Sequence, residues 1–256
     1  MLADPYDAIL LDLDGVLYRG PEPIPGAPEA VERLREAGKR IAFVTNNSSR
    51  TPEQVAERLG ALGIRADPAE VVTSALATAS LLASRGTRTA FVIGEVGLRT
   101  ALSEAGIAVV DAPDGTVDAV VVGFDRGADY HRLRDGSVLV ERGASLVGSN
   151  PDPSFPAAGG EAWPGAGALL AVIETTTGRH GEIVGKPAAP LLERALQQAG
   201  GGRPLVVGDR LDTDIAGAAG LGWHSALVLT GSSRREDVEG SPWVPTFVLD
   251  RLADLA

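Results

Sequence analysis

Asp12 and Asp14 flank a single leucine in the apolar run Ile9-Leu10-Leu11-Asp12-Leu13-Asp14-Gly15-Val16-Leu17-Tyr18, a spacing that suits phosphoryl transfer. Residues two apart on a strand point to the same side, so both carboxylates begin on one face, and Gly15 lets the chain turn after them without Cβ strain. Both can reach one Mg²⁺, which takes oxygen ligands from one or two carboxylates, waters and phosphate. One of the two can also attack phosphorus. Asp14-Gly15 is equally a common way to end a strand in a β-turn, so on their own these residues leave both readings open.

Three later segments add the partners such chemistry needs. Thr45-Asn46-Asn47-Ser48-Ser49 follows the apolar run Ile41–Val44 and offers hydroxyl and amide donors for phosphate oxygens, although Asn and Ser clusters also simply make turns. Lys186 follows Ile183–Gly185. Of 23 basic residues only Lys39 and Lys186 are lysine and the rest are arginine, so a lysine at 186 calls for a reason. A compact ammonium fits where a phosphate and an aspartate share little space, and a planar guanidinium would crowd it. Lys39, after Gly38 at a helix end, reads as a favourable charge on a solvated surface. The fourth segment, Gly208-Asp209-Arg210-Leu211-Asp212-Thr213-Asp214, sets three carboxylates at a helix entrance. Capping and the helix dipole explain one or two of them but do not require Asp209 directly after a strand. We therefore expect Asp209 as a metal ligand, Asp214 as a ligand acting through water or from behind, and Asp212 as a cap or an orienting group.

These residues need elements to hold them, and the pattern supplies βαβ units. Short β-branched runs alternate with helical stretches and glycine stops, which predicts an α/β fold with a doubly wound parallel sheet. Strands are expected at Ala8–Leu13, Arg40–Val44, Leu205–Val207, Ser225–Leu229 and Thr246–Leu249, with helices at Pro28–Ala37, from Pro52 to about Leu62, and at Ser74–Ser84. From Thr89 the rhythm restarts with strands Ala90–Ile93, Ile107–Val110, Ala119–Val122 and Leu146–Gly148, and helices at Leu98–Ala105 and Tyr130–Arg142. The Pro/Gly-rich stretch Asn150–Gly167 closes this block. A block with its own core, inserted into the doubly wound sheet, accounts for the pattern better than one continuous sheet. The expected division is 1–79 with 182–256 as the core and 80–181 as the insertion.

Composition removes other classes. The 256 residues carry 34 acidic against 23 basic side chains, a net charge of −11 that opposes binding to a nucleic-acid polymer or an anionic membrane. With no cysteine there are no disulfides, thiolate nucleophiles or Cys-zinc sites, and His131, His180 and His224 are too scattered to ligate a metal. No basic leader and no apolar stretch near 20 residues is present, so the expected location is cytoplasmic.

Together the four segments resemble the haloacid dehalogenase (HAD) superfamily of phosphatases: Asp12-Leu13-Asp14, Thr45, Lys186, and Gly208-Asp209 through Asp214 match its four motifs in order. Asp-Leu-Asp-Gly-Val-Leu-Tyr, Val-Thr-Asn-Asn-Ser-Ser-Arg, Gly-Lys-Pro and Gly-Asp-Arg-Leu-Asp-Thr-Asp-Ile resemble the branch of phosphoglycolate, glycerol-3-phosphate, 4-nitrophenyl-phosphate and pyridoxal-phosphate phosphatases and nucleotidases. That branch carries a large α/β cap between its second and third motifs. The resemblance implies Asp12 as nucleophile forming an aspartyl-phosphate and Asp14 as acid and then base. It also implies Mg²⁺ on Asp12, Asp209, Asp214 and the Asp14 carbonyl, with Thr45, Asn46, Asn47 and Lys186 holding phosphate. It further implies a small phosphorylated metabolite as substrate and permits a homodimer through the cap. Glycerol-3-phosphate or phosphoglycolate is the preferred guess, a nucleotide or pyridoxal phosphate the alternative, and a non-catalytic phospho-ligand-binding regulator the alternative of another class. Arg210, where many nucleotidase-like members have asparagine, weakens the nucleotide reading. Candidate substrate contacts within the cap are Asn150, Asp152 and the loop Ser154–Trp163.

Overall fold

A computed structural model describes residues 1–111, 115–156 and 161–256. One sheet has six strands in the order Phe247–Leu249, His224–Val228, Pro204–Gly208, Ala8–Asp12, Arg40–Thr45 and Val71–Thr73. The first five pair in parallel along this order. Ala8 to Leu11 are wholly buried, as are Leu205 and Val207 beside them, which is why these strands read as unbroken apolar runs: a parallel sheet covered on both faces has no polar side. Ala8–Asp12, first in the chain, lies between a strand that follows it closely and one that comes much later. The winding reverses there, and in open α/β sheets ligands bind outside the carboxyl ends of strands at such a reversal.

The helix Ala27–Glu36 shows how the flanking layer is specified. Pro28 suits its first turn, and Ala27, Ala30, Val31 and Leu34 recur at helical spacing and are buried. They join the cluster built on Ile9, Leu11, Ile41, Phe43, Leu205 and Val207.

By internal contacts the chain forms two units, one of Met1–Thr45, Pro52–Val72 and Lys186–Ala256, the other of Asn46–Thr51 and Thr73–Gly185. The second holds a five-stranded parallel sheet in the order Glu182–Ile183, Ser145–Gly148, Ala119–Val122, Thr89–Ile93 and Ala108–Val110. Its core gathers Phe91, Ile93, Val120, Val122, Leu139, Leu170 and Ile173. This unit is wider than the expected 80–181 for a local reason. The Asn46 carbonyl accepts from Ser74 Oγ at 2.6 Å and Asn150 Nδ2 at 2.7 Å, and the Ser49 carbonyl accepts from Gly97 N at 3.1 Å, so both the 46–51 turn and the helix Ser74–Ser84 belong with it.

The sequence pattern missed several elements, the helix Ala189–Gln198 among them. Val71–Thr73 is too short to show alternation, and Ala166–Thr177 mixes small, β-branched and apolar residues without a clean stripe. The expected loop at Asn150–Gly167 contains a ribbon in which Ser154–Pro156 pairs antiparallel with Ala162–Pro164. Among the described residues no helix is long and apolar enough to cross a membrane.

Leu34 is fully buried where its helix meets the sheet. Leu34→Ala should therefore destabilise the protein by about 2–5 kcal/mol, from lost transfer energy plus an unfilled cavity. Denaturant titration checks this, and a change below about 1 kcal/mol would mean the helix packs loosely.

Candidate active site

Strand register brings the predicted residues to one edge of the first unit. Leu11 pairs with Val207 and Asp12 with Val44, so Asp12, the Gly208-Asp209 exit and Thr45 leave the sheet together. Two glycines make room for the acidic side chains gathered there. Gly15 has φ +82°, which a side chain rarely adopts, and a Cβ there would lie 2.6 Å from Asp209 Cγ. A Cβ on Gly208 would come within 2.1 Å of Asp214 Cγ. Both positions need glycine because carboxylates occupy the adjoining space.

Lys186 sits at the centre. Only 3 % exposed, it donates from Nζ to Asp12 Oδ1 at 2.5 Å and to Asp214 Oδ1 at 2.6 Å. Burial alone would lower the pKa of the ammonium. The two carboxylates more than offset this and raise its pKa, so Lys186 remains a cation throughout the physiological range. Burial lifts the Asp12 carboxyl well above its usual range, and the negative charges of Asp214 and Asp209 add to that lift against the pull of Lys186. Asp214 is further held by Arg210 N, which donates to its Oδ2 at 3.2 Å.

Carboxylate oxygens of Asp12, Asp209 and Asp214 all lie within 4.8 Å of one another. One ammonium cannot neutralise three carboxylates. The surplus negative charge, the all-oxygen donor set and the partial burial fit a hard divalent cation such as Mg²⁺. Burial, then the charge of Asp214, pushes the Asp209 pKa up to about 6.

Asp14 lies outside this side-chain cluster and is exposed. Surrounding protein still desolvates its carboxyl enough to raise its pKa, against the opposing effect of Arg58, Arg19 and the Gly15 N–H. Asp212, expected as a cap or an orienting group, lies in a wide π-type turn, Leu211–Ile215, and receives Arg210 Nε at 3.0 Å and Nη2 at 2.8 Å. Lys39, partly exposed just past the end of its helix, donates to the carbonyls of Asp4 at 2.9 Å and Tyr6 at 2.8 Å.

Thr45 is buried at the end of its strand, whereas Asn46 and Asn47 fall in the second unit. There Asn47 Oδ1 accepts from Ser49 N at 2.8 Å and Ser49 Oγ at 2.7 Å, the turn-forming role that the Asn-Ser composition allowed. Asn46 Nδ2 donates to Asp152 Oδ2 at 3.1 Å, and Asn150 Oδ1 accepts from Asp152 N at 3.1 Å. The predicted contact loop is described at Ser154–Pro156 and from Glu161 on, while residues 157–160 lie outside the described residues.

One part of the site was not predicted. The strand His224–Val228 delivers Thr230-Gly231-Ser232-Ser233, which wraps Asp209: Ser232 N donates to Asp209 Oδ2 at 2.6 Å and Ser233 N to its carbonyl at 3.0 Å. A Cβ on Gly231 would stand 2.0 Å from Asp209 Oδ2. The signal was present, a Thr-Gly-Ser-Ser turn at a fifth strand exit, but it carries no titratable group and so drew no attention.

A family model described as haloacid dehalogenase-like hydrolase matches residues 9–108, and a related HAD-hydrolase-like model matches 183–255. An acid sugar phosphatase of Staphylococcus aureus is 40 % identical over 245 residues, covering 94 % of this chain and 93 % of that protein. The structure of a glycerol phosphate phosphatase from Mycobacterium tuberculosis in complex with magnesium superposes with TM-score 0.94 at 35 % identity, covering 99 % of this chain and 77 % of that one. A 4-nitrophenylphosphatase from Thermotoga maritima gives TM-score 0.92 at 33 % identity, covering 100 % of this chain and 98 % of that one.

The raised Asp209 pKa sets a pH signature. The folded protein keeps a proton that an unfolded aspartate releases near pH ~4, so this contribution to stability is complete below ~4 and lost as pH rises through about 6. Mg²⁺ binds the ionised form and competes with that proton. Mg²⁺ should therefore raise Tm more at about pH 8 than at about pH 5, as thermal melts would record; an equal rise at both would place the metal elsewhere.

Proposed function

The chain belongs to the haloacid dehalogenase-like hydrolases, and from that premise we propose that it hydrolyses a small sugar phosphate or glycerol phosphate through an aspartyl-phosphate on Asp12. It is a phosphatase. The observation that carries the mechanism is Asp12 held at 2.5 Å by the buried ammonium of Lys186, beside two further carboxylates suited to Mg²⁺. The substrate class rests on the acid sugar phosphatase and the glycerol phosphate phosphatase, both similar over nearly all of this chain.

Asp12 attacks phosphorus in line and the ester oxygen leaves, which divides one hard displacement into two easier ones. Lys186 restrains Asp12 and stands ready, with Thr45, to meet the equatorial oxygens on which transition-state charge is spread. Asp14 protonates the departing alkoxide and then takes a proton from the water that cleaves the acyl-phosphate; its raised pKa favours the acid form needed first. Asp12, Asp209 and Asp214 would hold Mg²⁺, assisted by the Asp14 carbonyl. When bound, it supplies the positive charge that lets an anionic nucleophile approach an anionic phosphate. Asn46 and Asn47 complete the proposed phosphate-binding set, and the unit inserted between Val72 and Lys186 is proposed as a cap. A phospho-ligand-binding regulator would have no use for this intact set.

Phosphate release with Mg²⁺ from a panel of sugar phosphates, glycerol phosphates and nucleotides tests the substrate class through the ratio of kcat/KM values. Highest values on nucleotides would overturn it. Asp12→Asn should abolish both turnover and trapped phosphoenzyme, since an amide is a poor nucleophile. Lys186→Arg keeps the charge but cannot fit between two carboxylates at hydrogen-bond distance, and kcat/KM should fall roughly 10²-fold, about 3 kcal/mol. Near-normal activity would show that only long-range charge matters at this position.

A further inference from the structure

Thr230 makes a contact with no counterpart among the groups assigned above. Its Oγ1 donates to the Gly15 carbonyl at 2.6 Å. Gly15 N in turn donates to the Tyr18 carbonyl at 2.8 Å, and Val16 N, in the same peptide group as the Gly15 carbonyl, donates to the Leu13 carbonyl at 3.3 Å, so both peptide groups flanking Gly15 are held. Gly15 follows Asp14 directly and sits at φ +82°, where glycine has unusual freedom on both sides of its Cα. The turn is closed by the Val16, Leu17 and Tyr18 amides on the Leu13 carbonyl, and Thr230 adds a side-chain bond that fixes the peptide following the glycine. The tether is itself anchored. Arg19 Nη2 donates to the Thr230 carbonyl and, at 3.2 Å, to the Gly231 carbonyl, and the same turn carries the two amides that bind Asp209.

We propose that Thr230 is a positioning residue for Asp14: its hydroxyl locks the Gly15 hinge and so aims the carboxyl that protonates the leaving group. Arg19 holds the Thr230 and Gly231 carbonyls. The inference rests on the reading of Asp14 as the acid of the first step. A residue that aims an acid matters most when the leaving group is a poor one, whereas a merely structural residue affects all esters alike.

The test compares kcat/KM for phenyl phosphate, whose phenol is a poor leaving group, with 4-nitrophenyl phosphate, whose phenol leaves without help. Both have nearly the same shape, and kcat/KM reports the step in which the ester bond breaks. Thr230→Val, close in shape but lacking the hydroxyl, should lose about tenfold on phenyl phosphate, the scale of one hydrogen bond, and no more than about twofold on 4-nitrophenyl phosphate. Thr230→Ser should restore both values, and Thr230→Ala repeats the test if the valine variant folds poorly. Equal losses on the two esters, or no loss, overturn the proposal. Asp14→Asn is measured alongside. If it shows the leaving-group preference and Thr230→Val does not, only the role of Thr230 falls. If Asp14→Asn shows no preference, the assignment of Asp14 itself fails and takes this inference with it.

Discussion

A buried ammonium between two carboxylates is the constraint on which this site depends. Lys186 is almost wholly removed from water, and such a charge is tolerable only when partners satisfy it at close range. Asp12 and Asp214 do so, but bringing them together with Asp209 concentrates more negative charge than one lysine balances. The same arrangement that keeps the lysine charged thus leaves the carboxylates in need of a further cation. Structure and metal requirement come from a single imbalance.

Topology makes that imbalance possible to build. Asp12, Gly208 and Thr45 are ends of neighbouring parallel strands, so rigid backbone fixes their separation before any side chain is placed. Loops then supply what strands cannot. Gly15 and Gly208 create space for Asp209 and Asp214, and the Thr230–Ser233 turn gives one amide to the Asp209 carboxylate and one to its carbonyl. Each loop departs from a buried strand, which explains how flexible residue types can hold a precise charge pattern.

The residues that carry charge were legible in the sequence because their types have few alternative uses where they stand. Asp12 at a strand end, the rare lysine at 186 and Asp209 after Gly208 could each be singled out from spacing alone, and parallel strands announce themselves as apolar runs. Residues that act through backbone or hydroxyl groups were not legible in the same way. Thr230-Gly231-Ser232-Ser233 looks like any turn, and Asp212 looks like a cap until Arg210 is seen to pair with it. Asn46 and Asn47 were singled out as donors, but the local bonds they make depend on Asp152 and Ser49, and the former lies far along the chain. Short or unpatterned elements such as Val71–Thr73 and Ala166–Thr177 leave no periodicity to read.

The pairing of Ala8 with Pro204 carries a kinetic consequence. The central strand of the larger sheet is made first, yet one of its two neighbours emerges only after the whole of Thr73–Gly185 has been synthesised. That intervening segment has a parallel sheet and apolar core of its own, so its contacts are comparatively local and its loops lose less entropy on closing. During translation it can compact while Ala8–Asp12 still lacks its partner at Pro204–Gly208. The strand end that carries Asp12 therefore waits for Lys186, and for Asp209 beyond it, until both later segments have been synthesised.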